Sequence, residues 1–179
     1  MRLCITKVDE FQFLTCVKHS VWGSEPARFK EWNVGDYLTI TVDKAIAGLA
    51  EVAGEPYLSK KIIWYNGAFP HRIDLKFTHI FFPQNRLPLL GEIREALTST
   101  WGPVYGWCIR NQQVLEGSAA ETIIKAIQSK HDDLVEIQKT IDKLWNQAKS
   151  QRDTIVSPQR KRGRPKKVQK TLPFNEKSI

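Results

Sequence analysis

No apolar run in the 179 residues approaches the ~18–20 needed to cross a bilayer, so neither a membrane span nor a membrane partner is expected. The opening stretch MRLCITKVDEF turns acidic before any long apolar segment, unlike a secretory signal. The expected location is therefore intracellular: nuclear in a eukaryote, cytoplasmic or nucleoid-associated in an archaeon or bacterium. Cysteine is scarce. Cys4, Cys16 and Cys108 are odd in number, far apart and free of any C-x-x-C pair. That excludes a disulfide framework and a zinc finger, and it leaves reduced thiols expected to be buried rather than reactive. No metal or cofactor is expected. Catalytic signatures are also missing: there is no Walker loop, H-E-x-x-H, H-x-E with P-C-x-x-C, or G-x-S-x-G. His19, His71, His79 and His131 are scattered, and the chain reads as a binding protein rather than an enzyme.

What is present is aromatic and basic. Six Trp, eight Phe and four Tyr exclude a wholly disordered or collagen-like chain. The net charge of +8 is concentrated at one end. From Gln151 to Ile179 nine basic residues face two acids, so the first 150 residues are close to neutral. A neutral body with a basic tail suits a nucleic-acid partner.

Along the body, Arg2 to Thr6 reads as a short strand. Asp9 with Gln12 forms a capping box for a helix whose Phe13, Cys16 and Val17 share one face and which ends near His19 and Ser20. Val21 to Pro26 reads as a loop. Tyr37–Val42 and Ala45–Val52 read as a strand hairpin, the core of a small barrel, with Gly48 leaving room for a neighbour. Tyr65-Asn66-Gly67 is a turn, and His71 to Phe82 alternates as a strand. Leu90 to Leu97 reads as a short helix and Tyr105–Ile109 as a last strand. Ser118 and Glu121 suggest a second capping box, opening a helix from Ala119 to about Ser150. In it Leu134, Ile137, Ile141, Leu144 and Ala148 recur by three and four. Residues 119–150 therefore either form a homodimeric coiled coil or dock on the chain's own barrel. The expected units are 1–117, 118–150 and a disordered tail, 151–179, too poor in apolar residues to fold alone.

Within that tail, Arg160, Lys161, Arg162, Gly163, Arg164, Pro165, Lys166 and Lys167 resemble an AT-hook. Gly163 lets the backbone lie flat in a minor groove and Pro165 favours an extended chain. Arg162 and Arg164 then run in opposite directions along a narrow, negative groove, while the lysines meet phosphates. A polybasic tail or nuclear localisation signal is the plainer alternative. Residues 169–174 (QKTLPF) loosely resemble a sliding-clamp binding motif, with an ordinary tail as the alternative.

In the body, ITKVDEFQFLTCVKHSVWGS (5–24), YLTITVDKAIAGLAEVAGE (37–55) and IIWYNGAFPHRIDLKF (62–77) occur in order. Together they resemble the YTH domain family. Asn33-Val34-Gly35-Asp36 and the later Trp-Gly…Tyr-Gly-Trp run are similar to EVE domains of the same PUA-like group. The resemblance implies an α+β fold: a small mixed PUA-like β-barrel with flanking helices, here followed by the long C-terminal helix and basic tail. It also implies a reader that extrudes a methylated base into an aromatic cage. Carried over by position, Trp22, Trp64 and Phe69 are the cage. Gln12 faces the purine edge, the Gly23 carbonyl meets the exocyclic amine, and Lys7 contacts backbone or base. The residue-level alternatives are that Trp22 and Trp64 are core and that Gln12 only caps its helix. Arg72 either binds phosphate or lies on a solvated strand face. Trp32, Trp101, Trp107 and Trp145 read as core or helix-packing residues.

The expectation is a modified-base reader whose hook holds AT-rich DNA. DNA is favoured over RNA because of the hook. The alternatives are an RNA N6-methyladenine reader with a nonspecific basic tail, or a dimeric chromatin-associated scaffold.

Overall fold

The computed structural model describes residues 1–25, 29, 31–65 and 67–155. The hook-like segment 160–167 and residues 169–174 lie outside them. Among the described residues eight strands form one curled, half-barrel sheet with helices on both faces. The strands are β1 (Arg2–Lys7), β2 (Val21–Ser24), β3 (Tyr37–Val42), β4 (Ala45–Val52), β5 (Tyr57–Leu58), β6 (His71–Ile80), β7 (Leu87–Pro88) and β8 (Val114–Glu116). Their order is β2-β6-β4-β3-β1-β8, with β5 beside β6 and β7 beside β4. Among the described residues only β1 and β3 run parallel; the other pairs are antiparallel. Register shifts at Ile40/Thr41 and at Leu49/Ala50 add the local twist that bends the sheet around its contents.

Alternation along the strands divides the core. Leu3 and Ile5 of β1 join one apolar cluster and Cys4 joins the other. On the first face lies α1 (Glu10–His19), whose capping box forms as expected: the Gln12 amide donates to Asp9 and the Gln12 side chain accepts from the Asp9 amide. Gly48 does leave room for a neighbour, since a β-carbon there would stand 3.1 Å from the Phe13 ring of α1. The second face carries α2 (Gly91–Trp101), α3 (Gly106–Arg110) and α4 (Gly117–Gln128).

Several expectations are corrected. Val21–Ser24 is not a loop but a strand paired with β6. Tyr105–Ile109 is not a strand: its residues have strand propensity, but α3 forms there and only Ile109 is buried. The strand that closes on β1 is β8, with Leu115 buried. No capping box forms at Ser118, because the chain passes straight from β8 into α4 through Gly117 at φ +67°. The expected single helix is broken, and α5 (Leu134–Ile155) starts afresh after α4. Asp132 accepts from the Leu134 amide at 3.0 Å and so caps the new helix. Asp133 accepts from the Phe82 amide at 2.8 Å and from Asn85, tying the junction to the end of β6.

The spaced apolar residues of α5 pack inward. Leu134, Ile137, Ile141, Leu144 and Ala148 all belong to or pack on the cluster beneath α1. The Trp145 indole N–H donates to Thr15 Oγ at 2.9 Å, and its ring lies 5.2 Å from that of Phe11. Lys18–Asp142 and Arg152–Asp9 ion pairs flank this contact. The seam that suggested a homodimer is occupied within the chain.

Candidate functional site

A cavity of about 540 Å³ opens where β1, α1, β2, the 59–70 connection and α3 converge. That volume lies within the usual range for a small-ligand site. From the end of β1 come Thr6, Lys7 and Val8; from α1, Gln12 and Cys16, one turn apart on the same face. Strand β2 supplies Trp22 and Gly23, and the 59–70 connection supplies Trp64 and Phe69. All six residues that the sequence placed in a base pocket therefore line one cavity: Lys7, Gln12, Trp22, Gly23, Trp64 and Phe69.

The aromatics are held by backbone shape. A β-carbon on Gly23 would stand 2.6 Å from Trp64 Cη2, so only glycine lets that ring lie against β2. Gly67 carries the Phe69 ring in the same way, with a β-carbon there 3.1 Å from Phe69 Cε2. The Trp64 and Phe69 rings meet edge to face, 5.4 Å apart at 77°. Phe69 sits at φ +40°, a region an aromatic residue seldom occupies. Trp22 and Trp64 are 5% and 3% exposed, so each is both core and cavity wall. Gln12 likewise has both roles that the sequence left open: its side-chain oxygen caps α1, and the residue lines the cavity.

Arg72 is the clear correction. It is buried, at 4% exposure, and not on a solvated strand face. Paired opposite Gly23 across β2 and β6, it turns its guanidinium into the 59–70 connection. There it donates to Ser59 Oγ at 2.9 Å, to the Ala68 carbonyl at 3.2 Å, to the Phe69 carbonyl at 3.3 Å and to the Lys61 carbonyl. Its Cζ also lies 5.3 Å from the Trp64 ring centroid. Arg72 is a strut that fixes the segment bearing both aromatics.

Cys16 lies beside Trp64 in the cavity wall. Burial pushes its thiol up to about 12, partly offset by a hydrogen bond with the Trp64 side chain, so it stays a neutral wall group. The far wall was missed by the sequence reading: Gly106, Ile109 and Arg110 of α3, then Gln112. Their spacing, i, i+3 and i+4, is the signal that could have found them, had the segment been read as helical. Trp107, expected as a core or helix-packing residue, is 61% exposed at the surface of α3. Among the described residues no cluster of His, Cys, Asp or Glu could hold a metal ion.

No family model matches the chain, and no curated protein matches it in sequence. Solved structures do match it in shape. The Toxoplasma CPSF4 YTH domain, in apo form, superposes at a TM-score of 0.56 with 12% identity, over 75% of this chain and 90% of that one. The chain has the YTH fold. The YTH domain of Zygosaccharomyces rouxii MRB1, in complex with N6-methyladenosine RNA, gives 0.52 at 15% identity over 74% and 90%. The Mmi1 YTH domain in complex with RNA gives 0.52 at 14% over 71% and 77%. At these identities the likeness concerns the YTH fold and leaves the site to be argued from its own residues.

Proposed function

We propose that this protein binds RNA and reads a methylated adenine extruded into the cavity between Trp22, Trp64 and Phe69. One observation carries the reading: three aromatic residues and the Gln12 amide line a single cavity of base-binding size, set in a YTH fold. A methylated base has apolar faces and a polar edge. Extruding it costs a few kcal/mol, and stacking on an aromatic returns ~1–3 kcal/mol per base. Two or three aromatic walls offset extrusion, so the edge contacts are left to decide identity. Gln12 and the Gly23 carbonyl are the candidates for those contacts. Lys7 and Arg110, exposed where the cavity opens, suit the phosphates on either side. The reading needs no catalytic step.

RNA takes first place over DNA because RNA-bound domains stand among the solved relatives. On this reading the basic residues 160–167 anchor the RNA backbone without regard to sequence. Their resemblance to an AT-hook keeps DNA as an arm of the test.

The test is fluorescence titration of the full chain with matched RNA and DNA oligonucleotides. Each carries one adenine, N6-methyladenine, cytosine or 5-methylcytosine. The expected result is Trp quenching and tightest binding to N6-methyladenine RNA, with the preference lost in Phe69→Ala. Equal binding across the set overturns the reading. Preference for a methylated DNA strand keeps the cage and moves the protein to DNA.

A further inference from the structure

We propose that Trp107 and Val104 form a stacking shelf for the nucleotide next to the extruded base, on the same strand. The inference rests on the reader function above and extends it from one base to at least two. Helix α3 turns Gly106, Ile109 and Arg110 toward the cavity. Trp107 stands three residues before Arg110, about 60° round the helix from it and on the side away from the buried Ile109, which places it at the outer rim of the wall beside Arg110. It is 61% exposed, and Val104, whose carbonyl accepts from the Trp107 amide at 3.2 Å, is 76% exposed. Trp22, Trp32 and Trp64 are all buried, so an exposed indole of this size calls for a partner.

The charge around the shelf favours nucleic acid as that partner. Lys7 and Arg110 both line the cavity and are exposed, against one exposed carboxylate there, Glu25, so the apolar plane sits beside a lining of net positive charge. A nucleotide matches this pairing: its base offers a flat face and its phosphate a negative charge. When one base leaves a stack, its neighbour loses a stacking partner, and an indole next to the cavity replaces it.

The test compares the wild-type chain with Trp107→Ala and Trp107→Phe. Each is titrated with an N6-methyladenine RNA pentamer, its unmethylated twin, versions with abasic flanks, and the free methylated nucleoside. Trp107→Ala is expected to weaken pentamer binding roughly 5- to 150-fold, the span of a single stack. The ratio of methylated to unmethylated affinity and the binding of the nucleoside should not change. Abasic flanks should produce the same loss in wild type, and Trp107→Phe should recover most of the affinity. If the pentamer binds Trp107→Ala and wild type equally while methyl preference persists, the shelf is overturned and the reader stands. If methyl preference is absent but the Trp107 and abasic effects remain, the shelf stands and the cage reading fails. If Trp107→Ala alters self-association in sedimentation and leaves RNA binding untouched, the exposed face is a protein contact and the shelf is overturned.

Discussion

Trp64 lies so close over Gly23 that a β-carbon on the glycine would stand 2.6 Å from Cη2 and 2.8 Å from Cζ3 of the indole. The cavity wall therefore depends on the absence of one methyl group. Gly23→Ala should push the Trp64 ring toward Phe69 or spread β2 from β6. We expect affinity for the methylated strand to fall at least tenfold and the melting temperature to drop. Gly54→Ala is the control, since the nearest atom to a β-carbon there is Asp74 Oδ2 at 3.7 Å. Equal behaviour of the two variants would show that Trp64 adapts freely.

Arg72 gives a prediction that separates a strut from a phosphate contact. Arg72→Met leaves the Lys61, Ala68 and Phe69 carbonyls without their donor. The loss of stability should be about 2–4 kcal/mol, seen as a lower denaturation midpoint. Affinity should fall because the aromatic segment loosens, while the salt dependence of the remaining binding stays that of wild type. Lys7→Ala should do the reverse, preserving stability and lowering the log–log salt slope by about 0.7, the value for one contact to a single strand. A shallower slope for Arg72→Met would restore the phosphate-binding role.

The seam of α5 predicts how the chain associates. Ile137 is 2% exposed and packs into the cluster under α1. Ile137→Ala should cost about 2–5 kcal/mol in folding. If the seam serves only the fold within one chain, melting temperature should not depend on protein concentration in either form. A concentration-dependent midpoint that Ile137→Ala abolishes would return the helix to a dimer interface.

Local signals explain what could be read beforehand. The capping box of Asp9 and Gln12, the alternation of Tyr37–Val42 and the apolar run from Ala45 act over a few residues, and the corresponding elements form. The YTH likeness of three ordered segments placed Trp22, Trp64 and Phe69, and they do line one cavity. Long-range choices were hidden. Val21–Ser24 becomes a strand because β6 offers a free edge to it, and Arg72 leaves solvent because the carbonyls of residues 61, 68 and 69 gather around it. Tyr105–Ile109 combines strand propensity with only one buried residue, so periodicity could not separate helix from strand, and the far cavity wall went unread. The break at Asp132 and Asp133 was a capping signal inside an apparently continuous helix, and half of its meaning lies in Phe82 and Asn85, some fifty residues earlier.

The three thiols should differ sharply in reactivity. Burial raises Cys16 to about 12, and burial together with the nearby Asp36 charge raises Cys4 as well. A raised thiol pKa means the protonated form dominates at pH 8, and the thiolate is the nucleophile. Cys108 on α3 is half-buried and should be the thiol that Ellman's reagent reaches first in the native protein. The expected titration at pH 8 is one fast equivalent, with the other two appearing only at the rate of unfolding. Because Cys16 belongs to the cavity wall, bound methylated RNA should slow its modification further by stabilising the folded state. Cys108 lies next to Trp107, so its rate should fall at RNA concentrations that fill the shelf. Fast modification of two or more thiols in the absence of denaturant would contradict the closed packing around Cys4 and Cys16.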